Sequence, residues 1–240
     1  MREKLFYERL RKAEINKSND WSMKELEKVL NSLKEGKSSD PRGLVNDLFR
    51  LENIGDDLKN SLMVLLSKIK NQLKQPQFVN EVDIISLFKG KGSKHLLSNE
   101  RGIFILNLVR TLKDKLIYQD IYETVDSVMS DCQVGGRKKR SISNHIFVVN
   151  AILNSVKQKE SDPIDLQIFD VEKCFDSLWL EQCCNDQWEA GIIDDKLALI
   201  YYGNQTNEVA INLPIGQTER INIPNIVIQG GPLGSLQCSL

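Results

Sequence analysis

Between Ile164 and Asp170 the chain alternates apolar Ile164, Leu166 and Ile168 with polar Asp165 and Gln167. That period of two belongs to a strand with one buried and one wet face, and it predicts a short buried strand over residues 164–170. The strand commits part of the fold to a sheet and carries a carboxylate, Asp170, to its end before the chain turns. Magnesium takes oxygen ligands at octahedral geometry and is held by one or two carboxylates together with substrate phosphates, so Asp170 is a candidate first ligand for the metal of a nucleoside triphosphate. The same residue type at the same place also serves as a turn or helix N-cap residue.

Upstream of this strand the periodicity is helical. Ser22 and Glu25 form a capping box, and Leu26, Val29, Leu30 and Leu33 follow at helical spacing until Gly36. Leu58, Leu62, Leu65, Leu66, Ile69 and Leu73 predict a second helix ended by Pro76, Leu106 to Val125 a third, and Ser141 to Lys157 a fourth. Downstream, helices are expected over Leu178 to Ala190 and Asp195 to Tyr202. Strands are expected over Glu208 to Leu213 and Arg220 to Ile223, joined by Pro214-Ile215-Gly216-Gln217, with a further strand from Ile226 to Ile228. Helices first and antiparallel strands later make the expected class α+β.

The formal net charge of −1 says nothing about partners, but its distribution does. Residues 84–157 hold 12 Lys/Arg against 6 Asp/Glu, whereas residues 159–240 hold 4 against 13. The basic block includes Lys89, Lys91 and Arg101 and the run Arg137-Lys138-Lys139-Arg140; such groups suit phosphates, and such a run is equally a solvated face or a localisation signal. No run of 18 apolar residues occurs and the start lacks a signal-peptide core, so neither a membrane partner nor secretion is expected. Five cysteines without C-x-x-C spacing argue against a disulfide framework and a zinc site and for a reducing, intracellular compartment, nuclear or cytoplasmic. With two histidines there is little scope for histidine catalysis, and His145, in the first turn of the fourth helix, is expected to be structural.

Four further segments stand in a telling order. Lys37-Ser38-Ser39-Asp40-Pro41-Arg42-Gly43 leads to Phe49. Ile84-Ile85-Ser86-Leu87-Phe88-Lys89-Gly90-Lys91-Gly92 is followed by Asn99-Glu100-Arg101-Gly102-Ile103. Gln133-Val134-Gly135-Gly136-Arg137 precedes Arg140-Ser141-Ile142-Ser143-Asn144-His145, and Gln229-Gly230-Gly231-Pro232-Leu233-Gly234-Ser235 comes last of the four. With Asp170 and Phe175-Asp176 between them, these resemble, over residues 37–240, the fingers and palm of reverse transcriptases of non-LTR (LINE-type) retrotransposons.

The resemblance implies a right-hand polymerase: a helical N-terminal extension over 1–75, fingers over 76–162 and a partial palm over 163–240. It implies Asp170 as catalytic residue and metal ligand, with the carbonyl of Val171 as a second ligand for Mg²⁺ in the parent enzyme. Lys89, Lys91 and Arg101 are implied over the triphosphate, Arg being suited to bidentate phosphate contact. Phe175 is implied beneath the sugar, where a ring excludes a 2′-hydroxyl and selects deoxynucleotides. Gln229 and Gly230 are implied under the nucleotide, and Arg137, Lys138, Lys139 and Arg140 against the template backbone. The implied partners are an RNA template, a DNA primer and deoxynucleoside triphosphates; an oligomeric state is not legible. Read without the resemblance, Phe175 is a core ring and the glycine run a turn.

The chain departs from the family pattern in two places. Glu100 stands where a tyrosine is expected and Gly136 where an aromatic is expected. No Asp follows Asp195, so the "(F/Y)-x-D-D" strand with the other catalytic carboxylates is missing and a truncated, inactive fragment is expected. A group II intron maturase shares the implied fingers and palm, and an RNA-dependent RNA polymerase is opposed by Phe175. A non-catalytic nucleic-acid-binding remnant is the alternative from another class.

Overall fold

Ser22 opens a helix as its sequence requires. Its side chain accepts from the Glu25 amide while the Glu25 carboxylate accepts from the Ser22 amide at 2.7 Å, a complete capping box ahead of α2 (Met23–Asn31). Leu26, Val29 and Leu30 then fall on one face and are buried. Asp40 performs a comparable service across a longer span. One carboxylate oxygen accepts from the amides of Arg42 and Leu44, and the other from the amide of Leu108, 2.9 Å away at the start of α4 (Leu108–Val128). The Lys37–Gly43 segment is thereby tied to the longest helix of the chain by satisfying one of the orphan amides of its first turn.

The computed structural model describes residues 2–93, 96–158, 164–171 and 174–240. The other helices are α1 (Arg2–Ile15), α3 (Asp56–Gln72), α5 (Ile142–Gln158), α6 (Leu180–Glu189), α7 (Asp195–Gln205) and α8 (Gly234–Ser239). The strands are β1 (Glu81–Phe88), β2 (Glu100–Leu106), β3 (Thr206–Leu213), β4 (Gly216–Gln217) and β5 (Ile221–Pro224). They form one mixed sheet in the order β2-β1-β3-β4, with β5 also paired to β3. The β1–β2 pair is an antiparallel hairpin in which Ile84 faces Phe104 and Leu87 faces Arg101. β1 and β3 run parallel, Val82 beside Val209. The class is α+β, as the alternation of patterns predicts.

The helices share one continuous core. Phe6, Leu10 and Ala13 of α1, Leu62, Leu66 and Ile69 of α3, Leu112 to Val125 of α4 and Leu197 to Tyr201 of α7 belong to the same buried cluster. Each fully buried aliphatic side chain contributes about 1.5–3 kcal/mol by leaving water. A smaller cluster, Val82, Leu106, Val209 and Ile228, seals the sheet against the segment before α8. The N-terminal helices are part of this body: α1 packs on α6 and α7, and α2 and α3 pack on α4. The boundary expected at residue 75 therefore does not mark a break in the core.

Two expected strands do not form. Residues 164–171 enter no ladder and lie in water, with Ile168 83% and Phe169 88% exposed. The alternation is present, yet period two stabilises a strand only where a neighbour accepts its amides and a layer covers its apolar side. Residues 226–228 are buried at Val227 and Ile228, the latter against Val82, Leu106 and Val209, but they enter no ladder. The hairpin expected over 208–223 is subdivided: Pro214 and Ile215 turn β3 into β4, with Leu213 facing Gly216, and the chain then re-pairs through β5, with Val209 facing Ile221.

Candidate functional site

The hairpin presents its cations at the tip. The Lys89 amide donates to the Asn99 carbonyl at 2.9 Å, closing the two strands, and the Lys89 ammonium donates to the Ser98 carbonyl at 2.7 Å. Lys91 and Arg101 are exposed and meet no carboxylate among the described residues. An ammonium with unused donors and a free guanidinium beside it make an anion-facing tip, since the strong charge-assisted bonds of both are left open.

The glycine run lies across β2. At Gly230, where φ is +96°, a Cβ would stand 3.5 Å from the Phe104 carbonyl oxygen; at Gly231 it would stand 3.2 Å from Leu106 Cδ1. Gly234 is hemmed in from two sides. A Cβ there would lie well inside van der Waals contact of the Ile228 carbonyl oxygen and 3.4 Å from Cε1 of Phe175. Phe175, in a 3-10 turn over 175–177, is half-buried and packs against the main core as well. The loop of Gly136 closes the far side, its Cβ position 3.5 Å from Ser235 Cβ. Residues 136, 175, 229–235 and 104–106 thus meet at one place, and Arg101 lies on the same strand three residues nearer the tip, about 10 Å away.

Asp170 is not in that assembly. It is exposed, as is Val171, on the segment that forms no strand, and residues 172–173 lie outside the described residues, as does the side chain of Asp176. Among the described residues no group of three His, Cys, Asp or Glu side chains is placed to hold a metal. One solvent-facing carboxylate and a backbone carbonyl do not by themselves make an octahedral all-oxygen site, so the donors among the described residues do not complete a Mg²⁺ centre.

The basic run is divided by the fold. Arg137, 8% exposed, is turned inward: Nε donates to Asp126 Oδ1 at 2.7 Å, Nη1 to the carbonyls of Ser130 and Gln133, and Nη2 to the Asp126 carbonyl at 3.0 Å. The guanidinium hydrogen bond holds the Asp126 carboxyl below its ordinary range. Arg137 is therefore a clamp on the loop after α4 rather than a surface contact, because its fork is satisfied within the protein. The Lys138 ammonium sits over the Tyr122 ring at 4.1 Å and the Tyr118 ring at 5.0 Å, and Arg140 bonds Asp131 at 2.9 Å. Lys139 is exposed with φ +59° and no partner among the described residues. His145 Nε2 lies 2.6 Å from the Cys132 carbonyl, a structural contact at the start of α5.

Two features escape periodicity. Arg110, Lys113 and Asp114 are buried in α4: Arg110 donates to Asn207 at 2.7 Å and Asn204 at 3.0 Å, Lys113 donates to Gln75 at 2.9 Å, and Asp114 lies between the cations. The available signal is weak, since α4 carries four further charges, Lys115, Asp120, Glu123 and Asp126, besides these three. The second is the approach of Cys174 and Cys238, for which spacing gives no signal. No family model matches the chain.

Proposed function

We propose that the chain is the fingers and the first part of the palm of a reverse transcriptase of the non-LTR retrotransposon kind. RNA-templated DNA synthesis is the activity of a complete domain of that kind. The chain itself supplies contacts to nucleic acid and nucleotide rather than chemistry. What carries the reading is the meeting of Phe175 with the Gln229–Ser235 turn on β2, the same strand that bears Arg101 beside the Lys89 and Lys91 tip. A floor kept thin by glycine, an aromatic edge and an overhanging basic hairpin suit a flat base, a sugar and a phosphate tail in that order.

A second reading, binding without catalysis, is favoured by the position of Asp170. Among the described residues that carboxylate is exposed and no group of three potential metal ligands stands around it. Both readings share a measurable core. Fluorescence anisotropy on an RNA–DNA primer-template between about 50 and about 200 mM salt gives the number of phosphates neutralised from the slope of log K against log salt. Replacing Lys89, Lys91 and Arg101 together by Ala is expected to lower that slope by about 3, near one unit for each cation. An unchanged slope rejects the hairpin as the binding element. The two readings separate on deoxynucleotide addition with Mg²⁺ by the chain extended through a palm strand that carries the further carboxylates: extension that Asp170→Ala abolishes supports the polymerase, and binding without extension supports the remnant.

A further inference from the structure

Cys174 and Cys238 stand 64 residues apart in sequence, yet their Sγ atoms lie 2.8 Å apart, one at the entry to the 3-10 turn of Phe175 and the other in α8. We propose that these two thiols are an oxidant-sensitive pair that closes to an intramolecular disulfide, clasping the Phe175 turn to the glycine-led helix. The sulfurs need to approach by less than about 1 Å to reach bonding distance, which small χ rotations supply. Neither cysteine is fully buried. A groove of about 570 Å³, walled by Arg9, Trp179, Asp186 and Leu240, opens on Cys238 and admits a small oxidant.

The chemistry balances with a peroxide. A thiolate sulfur attacks one peroxide oxygen and the O–O bond breaks, giving a sulfenic acid and, after protonation, water; the second sulfur then displaces the sulfenic oxygen as a second water. Two thiols lose two electrons and two protons, and one peroxide gains them. Burial and the neighbouring Cys174 push the Cys238 thiol up to about 11, so the reaction accelerates as pH rises and the thiolate fraction grows. Cys183 lines the same groove and is the competing partner, but the 2.8 Å contact joins Cys174 and Cys238. Cys184 is sealed in the core and Cys132 is exposed beyond α4. A reducing compartment keeps such a pair open until an oxidant arrives, and dithiol exchange restores it.

The test uses the 240-residue chain treated with hydrogen peroxide, alkylated under denaturing conditions and digested for mass spectrometry. The expected product is a peptide pair joined through Cys174 and Cys238, with two of the five thiols protected from alkylation and both recovered after dithiothreitol. Closing a loop of this length is expected to raise Tm by roughly 5–15 °C in the oxidised form. Cys174→Ser and Cys238→Ser each abolish the shift, whereas Cys183→Ala keeps it. A product joined through Cys183, a dimer joined through Cys132, or equal alkylation of Cys174 and Cys238 before and after peroxide overturns the proposal. The peptide map reads the wild-type chain and decides the matter even where a variant fails to fold. The proposal does not depend on the polymerase reading.

Discussion

Arg110, Lys113 and Asp114 place two cations and one carboxylate inside the packed face of α4, where side-chain amides of Asn204, Asn207 and Gln75 accept from the Arg110 Nη atoms and Lys113 Nζ. Arg110→Met removes the donor to Asn204 and Asn207 and leaves both amide oxygens buried without it; a loss of about 3–5 kcal/mol is expected in urea unfolding. Lys113 gives the same site a pH signature. Burial, the leading cause, lowers its pKa from the free value of 10.5. Between the folded value and 10.5 the unfolded chain binds more protons, so Lys113 makes stability rise with pH through that window and leaves it lower and flat beneath. Denaturation at several pH values is expected to show that rise in the native chain and its loss in Lys113→Met. At this scale the sequence names charges without saying where they point. Arg137 reads as a phosphate contact, yet the carbonyls of Ser130 and Gln133 wait for it inside. Lys91 and Arg101 read the same way and do face water.

Helices were legible because the periodicity that marks them is also what buries them. The α2 capping box, the α3 stripe and the α4 run follow from residues a few positions apart. Residues 164–170 carry an equally regular pattern and form no strand, since a strand's hydrogen bonds lie with another part of the chain. α5 shows the helical counterpart: its backbone bonds are internal, so it forms, while Phe147 stays 74% exposed with Ile142, Ile146 and Ile152 also in water. Two outcomes follow for α5. Phe147→Ser is expected to change unfolding free energy by no more than about 0.5 kcal/mol. Hydrogen exchange is expected to find its amides much faster than those of α4, whose face is packed. At the glycine turn the expectation is the reverse. Gly234→Ala sets a methyl against the Ile228 carbonyl and the Phe175 ring, and a destabilisation of about 1–3 kcal/mol is expected by chemical unfolding.

For the whole molecule, the sheet that carries the candidate site is built by pairing β1 with β3, Val82 beside Val209, and by laying residues 226–234 over β2. The basic hairpin tip lies at one end of β2, and the uncharged segment 226–235 lies over the other. No helix among the described residues is long and apolar enough to cross a membrane. The sequence by itself determined helices α2 to α7, the α2 capping box, the α+β class and the cations of the hairpin tip, because each rests on residues within one or two turns of one another, whereas α1 and α8 emerged only in the structure. Only the tertiary structure decided that β1 and β3 run parallel, that the N-terminal helices share the core, that Arg137 turns inward, that Phe175 meets Gly234 and that Cys174 meets Cys238. Apart from the Arg137 clamp, whose partners lie 4 to 11 positions away, these contacts join residues tens to more than a hundred positions apart, and the free energy that selects them comes from burial and pairing between distant segments, which no local pattern encodes.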